Sequence, residues 1–371
     1  MKKNLLALAI AGAFVAPVAM ADNANVTVYG IADASYENID SGDTTAGVSG
    51  VTNNKISSNQ SRIGFKGTED LGGGLKAIFQ VERQVDLDAA SGPATSARNT
   101  FVGLAGDSWG SVTLGRNDSS YKSATRGYDV FLDHIADNRN LMGTGNSAFD
   151  GRYSDTARYD SPDMSGFKVS ASYIASAENN TVSTADVKAR GESLSGTYAT
   201  GPFSVAAAYQ KHVFGSTAGN TITPVAGVPA GLTDEKAWKV GGGYKMDQFG
   251  VNAVYEKTTD SLGNAANGRG HKAYYLAGTF NATANDQIKA AYTKAQKKQD
   301  GNLADSAAKQ WSIGVDHSMS KRTTVYAMYT KLDNDSAANY GLSTASTGGS
   351  ATGLGNGADP KAFSIGMKHA F

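Results

Sequence analysis

The stretch NDSSYKSATRGYDVFLDHIADNRNLMGTGNSAFD, residues 117–150, decides how the rest of this sequence is read. It shows no strand-like alternation, yet it lies between two segments that do alternate, Val112–Arg116 and Gly151–Ser161. Structureless links of this length are uncommon and are usually either functional or disordered. Disorder does not fit the composition, because Tyr121, Tyr128, Phe131, Leu132, Ile135, Leu141, Met142 and Phe149 all seek burial. Charges are interleaved with them at Asp118, Lys122, Arg126, Asp129, Asp133, His134, Asp137 and Arg139. A segment both apolar and charged needs a wall to lie against and water to face. The flanking chain is expected to supply that wall.

Working outward, segments of about ten residues alternate apolar and polar side chains with a period of two from Val26 onward, the pattern of a transmembrane barrel strand. Val26, Val28, Gly30, Ala32, Ala34 and Tyr36 share one face; Thr27, Tyr29, Ile31, Asp33, Ser35 and Glu37 share the other. Ile63 and Phe65 oppose Arg62 and Lys66, and Leu75, Ala77, Phe79 and Val81 oppose Lys76, Gln80 and Glu82. The fourth segment is read with Phe101, Gly103 and Ala105 outward and Arg98, Thr100 and Val102 inward. The pattern resumes after residue 150 and runs to the closing Phe363, Ile365, Met367, His369 and Phe371, giving sixteen segments in all.

The connections alternate in length. Short turns fall at 70–74, 106–110, 162–166, 200–202, 246–248, 281–285 and 318–322, and long links at 38–58, 85–97, 117–150, 177–189, 211–234, 258–270, 296–308 and 333–361. Short turns on one rim and long loops on the other characterise outer-membrane barrels. The apolar face of the strands ends repeatedly in an aromatic ring (Tyr36, Tyr173, Tyr198, Tyr209, Tyr244, Tyr255, Tyr292, Tyr329 and Phe371), as membrane-interface girdles do. The opposite face is rich in Lys, Arg, Ser, Thr and Gln, which cannot fill a dry core without partners. The fold class is therefore all-β: a 16-stranded antiparallel transmembrane β-barrel with short periplasmic turns, long external loops and the third loop, 117–150, folded into an aqueous lumen.

Residues 1–21 read as a secretory signal peptide, with Lys2 and Lys3, the apolar core Leu5–Ala16 and the Ala19-Met20-Ala21 site. The barrel then occupies 22–371. With 34 basic and 34 acidic residues in the whole chain, loss of Lys2 and Lys3 leaves a near-neutral protein with no nucleic-acid footprint. Cysteine is absent, so neither disulfides nor thiol-ligated metal sites are available, and no cofactor is expected.

At this point the chain resembles the general, non-specific porins of Gram-negative outer membranes, of the β-proteobacterial type. The resemblance is carried by VTVYGIADASYE at 26–37, SRIGFKGTEDLGGGLKAIFQVE at 61–82, RNTFVGLAGDSWGSVTLGRN at 98–117, ARYDSP at 157–162 and GMKHAF at 366–371. It implies a homotrimer in outer-membrane lipid and lipopolysaccharide, passing ions and small hydrophilic solutes. It also implies a basic cluster on the barrel wall facing acids of the third loop. Motif by motif, that places Arg62, Arg98 and Arg152 in the cluster, with Lys66 on the same inward face as Arg62. The loop lacks the Pro-Glu-Phe-Gly sequence of some relatives; its acidic candidates are Asp129, Asp133 and Asp137, spaced by four and so able to share a face of one helical turn.

Cations facing carboxylates across a narrow gap produce a transverse field that disfavours apolar solutes, and charge preference follows the side carrying more charge. Eleven inward bases against six inward acids predict an anion preference. Two other functions are open: a substrate-specific channel, for which Tyr29, Tyr275 and Tyr326 are candidate stacking residues, and a surface adhesin or antigen using the Gly/Ser/Thr/Asn-rich loops. An enzyme is not expected. The five histidines show no recurring pairing with a nucleophile or carboxylate, and Gly241-Gly242-Gly243 lacks the Gly-Lys-Ser/Thr ending of a phosphate loop. His134 is read as part of the constriction.

Overall fold

The computed structural model describes residues 25–88, 96–144, 148–175, 190–213, 234–260, 270–298, 304–342 and 355–371; the signal-peptide reading of 1–21 lies outside them. The strands are β1 (Asn25–Asp40), β2 (Thr52–Ser58), β3 (Arg62–Gly72), β4 (Leu75–Gln84), β5 (Ala97–Gly106), β6 (Gly110–Asp118), β7 (Arg152–Asp160), β8 (Phe167–Ala175), β9 (Arg190–Thr200), β10 (Phe203–Val213), β11 (Asp234–Lys245), β12 (Phe249–Asp260), β13 (Lys272–Asn281), β14 (Asp286–Ala295), β15 (Ala308–Ser318), β16 (Thr323–Asn334) and β17 (Lys361–Ala370). From β3 to β17 each strand pairs antiparallel with the next, β1 pairs with both β2 and β3, and β17 pairs with β1 to close the ring. Closing the sheet on itself pairs its first and last strands, as a lipid environment demands.

Seventeen strands fill sixteen positions because β2 and β3 lie end to end along β1: Ala34–Asp40 pairs with β2 and Asn25–Ile31 with β3. The link read as 38–58 is thus shorter, since Thr52–Ser58 is strand. Its polar run Thr52-Asn53-Asn54-Lys55 hides the alternation, while the Asn38 amide bonding Asn54 at 2.7 Å marks the pairing.

The fourth reading, now β5, is corrected. Val102 is 61 % exposed and faces outward with Leu104, whereas Phe101 pairs with Gln80 of the inner face. The β4–β5 ladder shifts register between Val81 and Arg83, so the parity slips by one and Arg98 still meets Glu82 inside. A bulge of this kind re-aims a side chain without interrupting the wall.

Outward faces are apolar, and their rings contact one another along belts: Trp238 with Tyr255 and Tyr255 with Tyr274 (5.0 and 5.1 Å), Trp311 with Tyr329 (5.2 Å), and, nearer the short turns, Phe203 with Tyr244 and Phe249 with Phe280. The buried apolar clusters lie inside the barrel, where residues of 117–150 pack on the inner wall. The interior of this protein is therefore part core and part channel.

Candidate functional site

The loop between β6 and β7 opens with a short helix, α1 (Ser120–Thr125), whose N-cap Ser119 accepts from the Lys122 amide at 3.1 Å. Hydroxyls of β8 and β9 receive it: Ser120 Oγ lies 2.7 Å from Ser172 Oγ, and the Tyr121 amide donates to Ser193 Oγ at 2.7 Å. Tyr121 Oη and the Gly143 amide both donate to Glu256 (2.8 and 2.7 Å), tying the two ends of the loop to one buried carboxylate. Lys239, 1 % exposed, donates to Asp150 at 2.6 Å and sits 4.1 Å from the centre of the Tyr121 ring. Glycines make the seat. A Cβ on Gly241 would come within 2.9 Å of the Tyr128 ring, and one on Gly314 within 2.9 Å of Phe131. That close approach is what the Gly241-Gly242-Gly243 run supplies.

Three of the five histidines serve the same attachment. His134 lies 3.2 Å from the Asp33 carboxylate and edge-on to Tyr326; His212, paired with Glu235 at 2.8 Å, stacks on Phe149; His271 stands 3.3 Å from Thr144 Oγ. His134 is buried behind the loop, so its expected place in the constriction is corrected: the loop turns it toward β1 and β16 rather than into the lumen.

Across the lumen stand the basic residues of β3 to β7. Arg62 reaches Asp133 at 3.5 Å and the Gln60 carbonyl at 3.1 Å. Arg98 bonds Glu82 at 2.5 Å and Gln60 Oε1 at 2.6 Å. Arg152 donates to Asn99 at 2.7 Å and lies 3.1 Å from Asp118, which also holds Lys122 at 2.7 Å. Lys66 is exposed, over the Tyr29 ring at 5.3 Å, on the turn side of Arg62.

The three loop aspartates do not share a helical face. Beyond α1 the loop forms 3-10 turns at Arg126–Tyr128 and Asn138–Asn140, and Asp133 adopts a positive φ of 66°. Asp129 accepts the Phe131 and Asn138 amides (both 2.9 Å) and the Tyr275 hydroxyl, so it fastens the loop. Asp137, fully buried, is clasped by Arg139 (2.8 and 2.9 Å) and Arg126 (3.2 Å). Only Asp133 of the three contacts a wall arginine. The spacing of four fails because Asp129 and Asp137 each bond nearby backbone amides, the competition that makes aspartate favour turns over helix.

Sequence reasoning noticed Arg126 and Arg139 as loop charges but gave them no site role. Their signal was available: two arginines among the aspartates offer the loop its own counter-charges. The tally of inward charges also counts Asp33, Glu37, Lys239 and Glu256, which the loop covers.

Electrostatics in the loop follow these contacts. Burial works to raise the Asp133 carboxyl, but Arg126 and Arg139 more than reverse it and hold it below the usual range; the same balance keeps Asp137 far lower. Burial, with the charge of Asp137, raises Asp129. Burial lowers the Lys122 amine to about 8 against the pull of Asp118. Tyr275 and Tyr326 are nearly fully buried, with hydroxyls bound to Asp129 and Asp33, and Tyr29 bonds Glu82, so these tyrosines form no stacking track along the lumen.

Comparison with known proteins agrees with this geometry. Residues 7–338 match the family model described as Gram-negative porin. The outer membrane porin protein 32 of Delftia acidovorans is 30 % identical over 387 aligned residues spanning both chains in full, and the major outer membrane protein P.IB of Neisseria lactamica is 30 % identical over 94 % of this chain and 98 % of its own. The solved anion-selective porin from Comamonas acidovorans superposes with a TM-score of 0.76 at 26 % identity, covering 94 % of this chain and all of its own. A closed β-barrel with a loop across its lumen, matched over most of its length by porin sequences, identifies this chain as a member of the Gram-negative porin family, a channel of the outer membrane.

Proposed function

We propose that the protein is a homotrimeric diffusion pore for ions and small hydrophilic solutes, preferring anions, with its constriction between Arg62, Arg98 and Arg152 on the wall and Asp133, Arg126 and Arg139 on the loop. Lys66 extends the basic wall toward the short-turn rim. Asp129 and Asp137 hold the loop in place. One observation carries the charge preference: guanidinium and ammonium groups outnumber the carboxylates they share. Arg62, Arg126 and Arg139 share Asp133 and Asp137, and Lys122 and Arg152 share Asp118. The anion selectivity named for the Comamonas protein points the same way.

The trimer has its own support on the outer wall. Arg116 of β6 pairs with Thr100, itself opposite the outward Val81, which puts an arginine on the outer face six positions above the short turn. It donates to the Ala97 carbonyl (2.9 Å) and to Ser154 Oγ (3.1 Å). On a lipid-facing wall an arginine near the midplane costs about 2–4 kcal/mol, so a neighbouring barrel is the better cover for that face. Lipid and lipopolysaccharide surround the remaining aromatic-belted wall.

The test is the zero-current potential of the purified protein in a planar bilayer across a KCl gradient. Conductance rising in triplet steps with an anion-selective potential is expected. A cation-selective potential overturns the charge assignment, and steps of one unit overturn the trimer.

A further inference from the structure

We propose that the outer wall at β11 to β14 binds an acylated, phosphate-bearing lipid of the outer leaflet, its phosphate on Lys257, Lys272 and Lys294 and an acyl chain in the apolar cavity below them. The site rests on the lipid contact proposed above for the aromatic-belted wall and gives that contact a fixed place.

Lysine faces lysine across neighbouring strands along the long-loop rim of the outer face, as in Lys211 with Lys236, Lys257 with Lys272 and Lys331 with Lys361. Like charges directly opposite destabilise a ladder. Two of these pairs hold carboxylates of their own. Asp234 lies 3.0 Å from Lys211 and 3.3 Å from Lys236; Asp333 lies 2.6 Å from Lys331, and Asp40 3.3 Å from Lys361. Among the described residues, Lys257 and Lys272 have no such partner, and neither has Lys294, which stands opposite Tyr274 on the next strand. The alternate positions Glu256 and Ala273 are buried inside the barrel, so the lysines share the outer face with Tyr274.

Tyr255, Tyr274 and Tyr292 each lie two residues to the membrane side of one of these lysines. Tyrosine rings settle at headgroup level, and lysine stems run along apolar surface to bring their ammoniums into the polar layer. Below the rings a cavity of about 440 Å³ opens on the same face, lined by Val240, Gly242, Ala253 and Leu276 as well as the three tyrosines. Gly242 and Ala253 are direct cross-strand partners, so two adjacent outward positions carry almost no side chain. The cavity alone would accept any apolar chain. Three uncompensated ammoniums above it select a phosphate, which lysine binds as a point charge, and a lipid of the leaflet brings both parts in one molecule. Strands β7 to β10 separate this wall from Arg116 of β6, the face assigned to a neighbouring barrel.

The experiment uses Trp238, whose ring lies 5.0 Å from that of Tyr255, as the reporter, in a Trp109→Phe/Trp311→Phe background that leaves it the remaining tryptophan. The full barrel is placed in nanodiscs of phosphatidylcholine doped with acyl-brominated phosphatidate or acyl-brominated phosphatidylcholine, and bromine quenching is read. Brominated phosphatidate is expected to half-quench Trp238 at about tenfold lower mole fraction than brominated phosphatidylcholine. Lys272→Gln is expected to raise that fraction about fivefold, and Lys257→Gln/Lys272→Gln/Lys294→Gln to erase the preference. Ala253→Leu, which fills the cavity without touching a lysine, is expected to weaken it as well. Equal quenching by the two lipids, a preference that survives the triple change, or one untouched by Ala253→Leu overturns the site while leaving general lipid contact intact. Should the triple variant fail to assemble, an unchanged half-quenching fraction in Lys272→Gln overturns it equally. Quenching by neither lipid means that another barrel covers this wall, and sinks the underlying lipid contact too.

Discussion

The wall from β3 to β7 and the wall from β10 to β16 obey one alternation and meet opposite fates. Inward positions on the first hold long bases that water still reaches at their tips, Arg62, Arg152 and Arg158 among them. Inward positions on the second include small residues (Ala206, Ala208, Ala237, Gly241 and Gly314) and charges shut away from water, as Lys239 and Glu256 are. The loop lies on one wall and faces the other. Parity therefore tells which side of the sheet a residue takes, while the loop decides whether that side is wet.

The largest effect that separates the two walls belongs to Lys239. Lys239→Met leaves Asp150 buried beside Glu256 without its cation, and breaking such a pair costs about 3–5 kcal/mol. Thermal unfolding in detergent should show that loss, and adding Asp150→Asn should recover much of it. Arg158→Met, on the open wall, should cost no more than about 1 kcal/mol by the same measurement. Equal losses at both positions would erase the distinction.

A smaller effect compares adjacent glycines. Gly241→Val drives a side chain into Tyr128 and should destabilise the seated loop by about 1–3 kcal/mol, read as added open-channel noise and a lowered unfolding temperature. Gly242→Ala points outward, where its nearest neighbour is 3.4 Å away, and should leave both readouts near wild type.

The smallest is a pH dependence at Lys122. Its amine, lowered to about 8 from 10.5, is neutral in the folded loop and charged in the unfolded chain between those values. Raising pH through that window therefore favours the folded loop, because the unfolded state binds more protons there. The lost positive charge should at the same time reduce anion preference between pH 7 and 9 in reversal-potential measurements, and Lys122→Met should abolish that part of the dependence.

Much of the barrel was legible because period-two alternation and the lengths of links are local properties. What escaped was set by partners distant in sequence. The register shift at Val81/Arg83 flips Val102 outward, and no local pattern announces it. Thr52–Ser58 pairs with β1 through polar side chains that resemble a loop. Parity put both Arg62 and Arg98 on the inner face, where they lie, but for Arg98 only because the register shift restores it after Thr100 and Val102 turn outward. The aspartates were misjudged as a helical face because their geometry depends on backbone amides at Phe131 and Asn138 and on Arg126, none of which a spacing rule contains. Three histidines looked unrelated in sequence because the loop unites them: His134 lies on it, and His212 and His271 meet it from the wall.

The gap between β2 and β3 divides the first hairpin into two ladders of seven residue pairs, one at 34–40 with 52–58 and one at 25–31 with 62–68. At the junction the Asn59 amide donates to the Asp33 carbonyl at 2.9 Å and side chains carry the rest: Asn59 Nδ2 bonds Asp33, Ser35 and Tyr326, and Ser61 Oγ accepts from the Asp33 amide. Native opening proceeds in contiguous units of unequal stability, and this junction is a boundary between two of them. The outer ladder can unzip, exchange its amide hydrogens or absorb an insertion at 41–51 while the inner one stays shut. Change in the outer link 41–51 thereby becomes mechanically separable from the position of Arg62, so the outside of the molecule can be altered without retuning what it lets through.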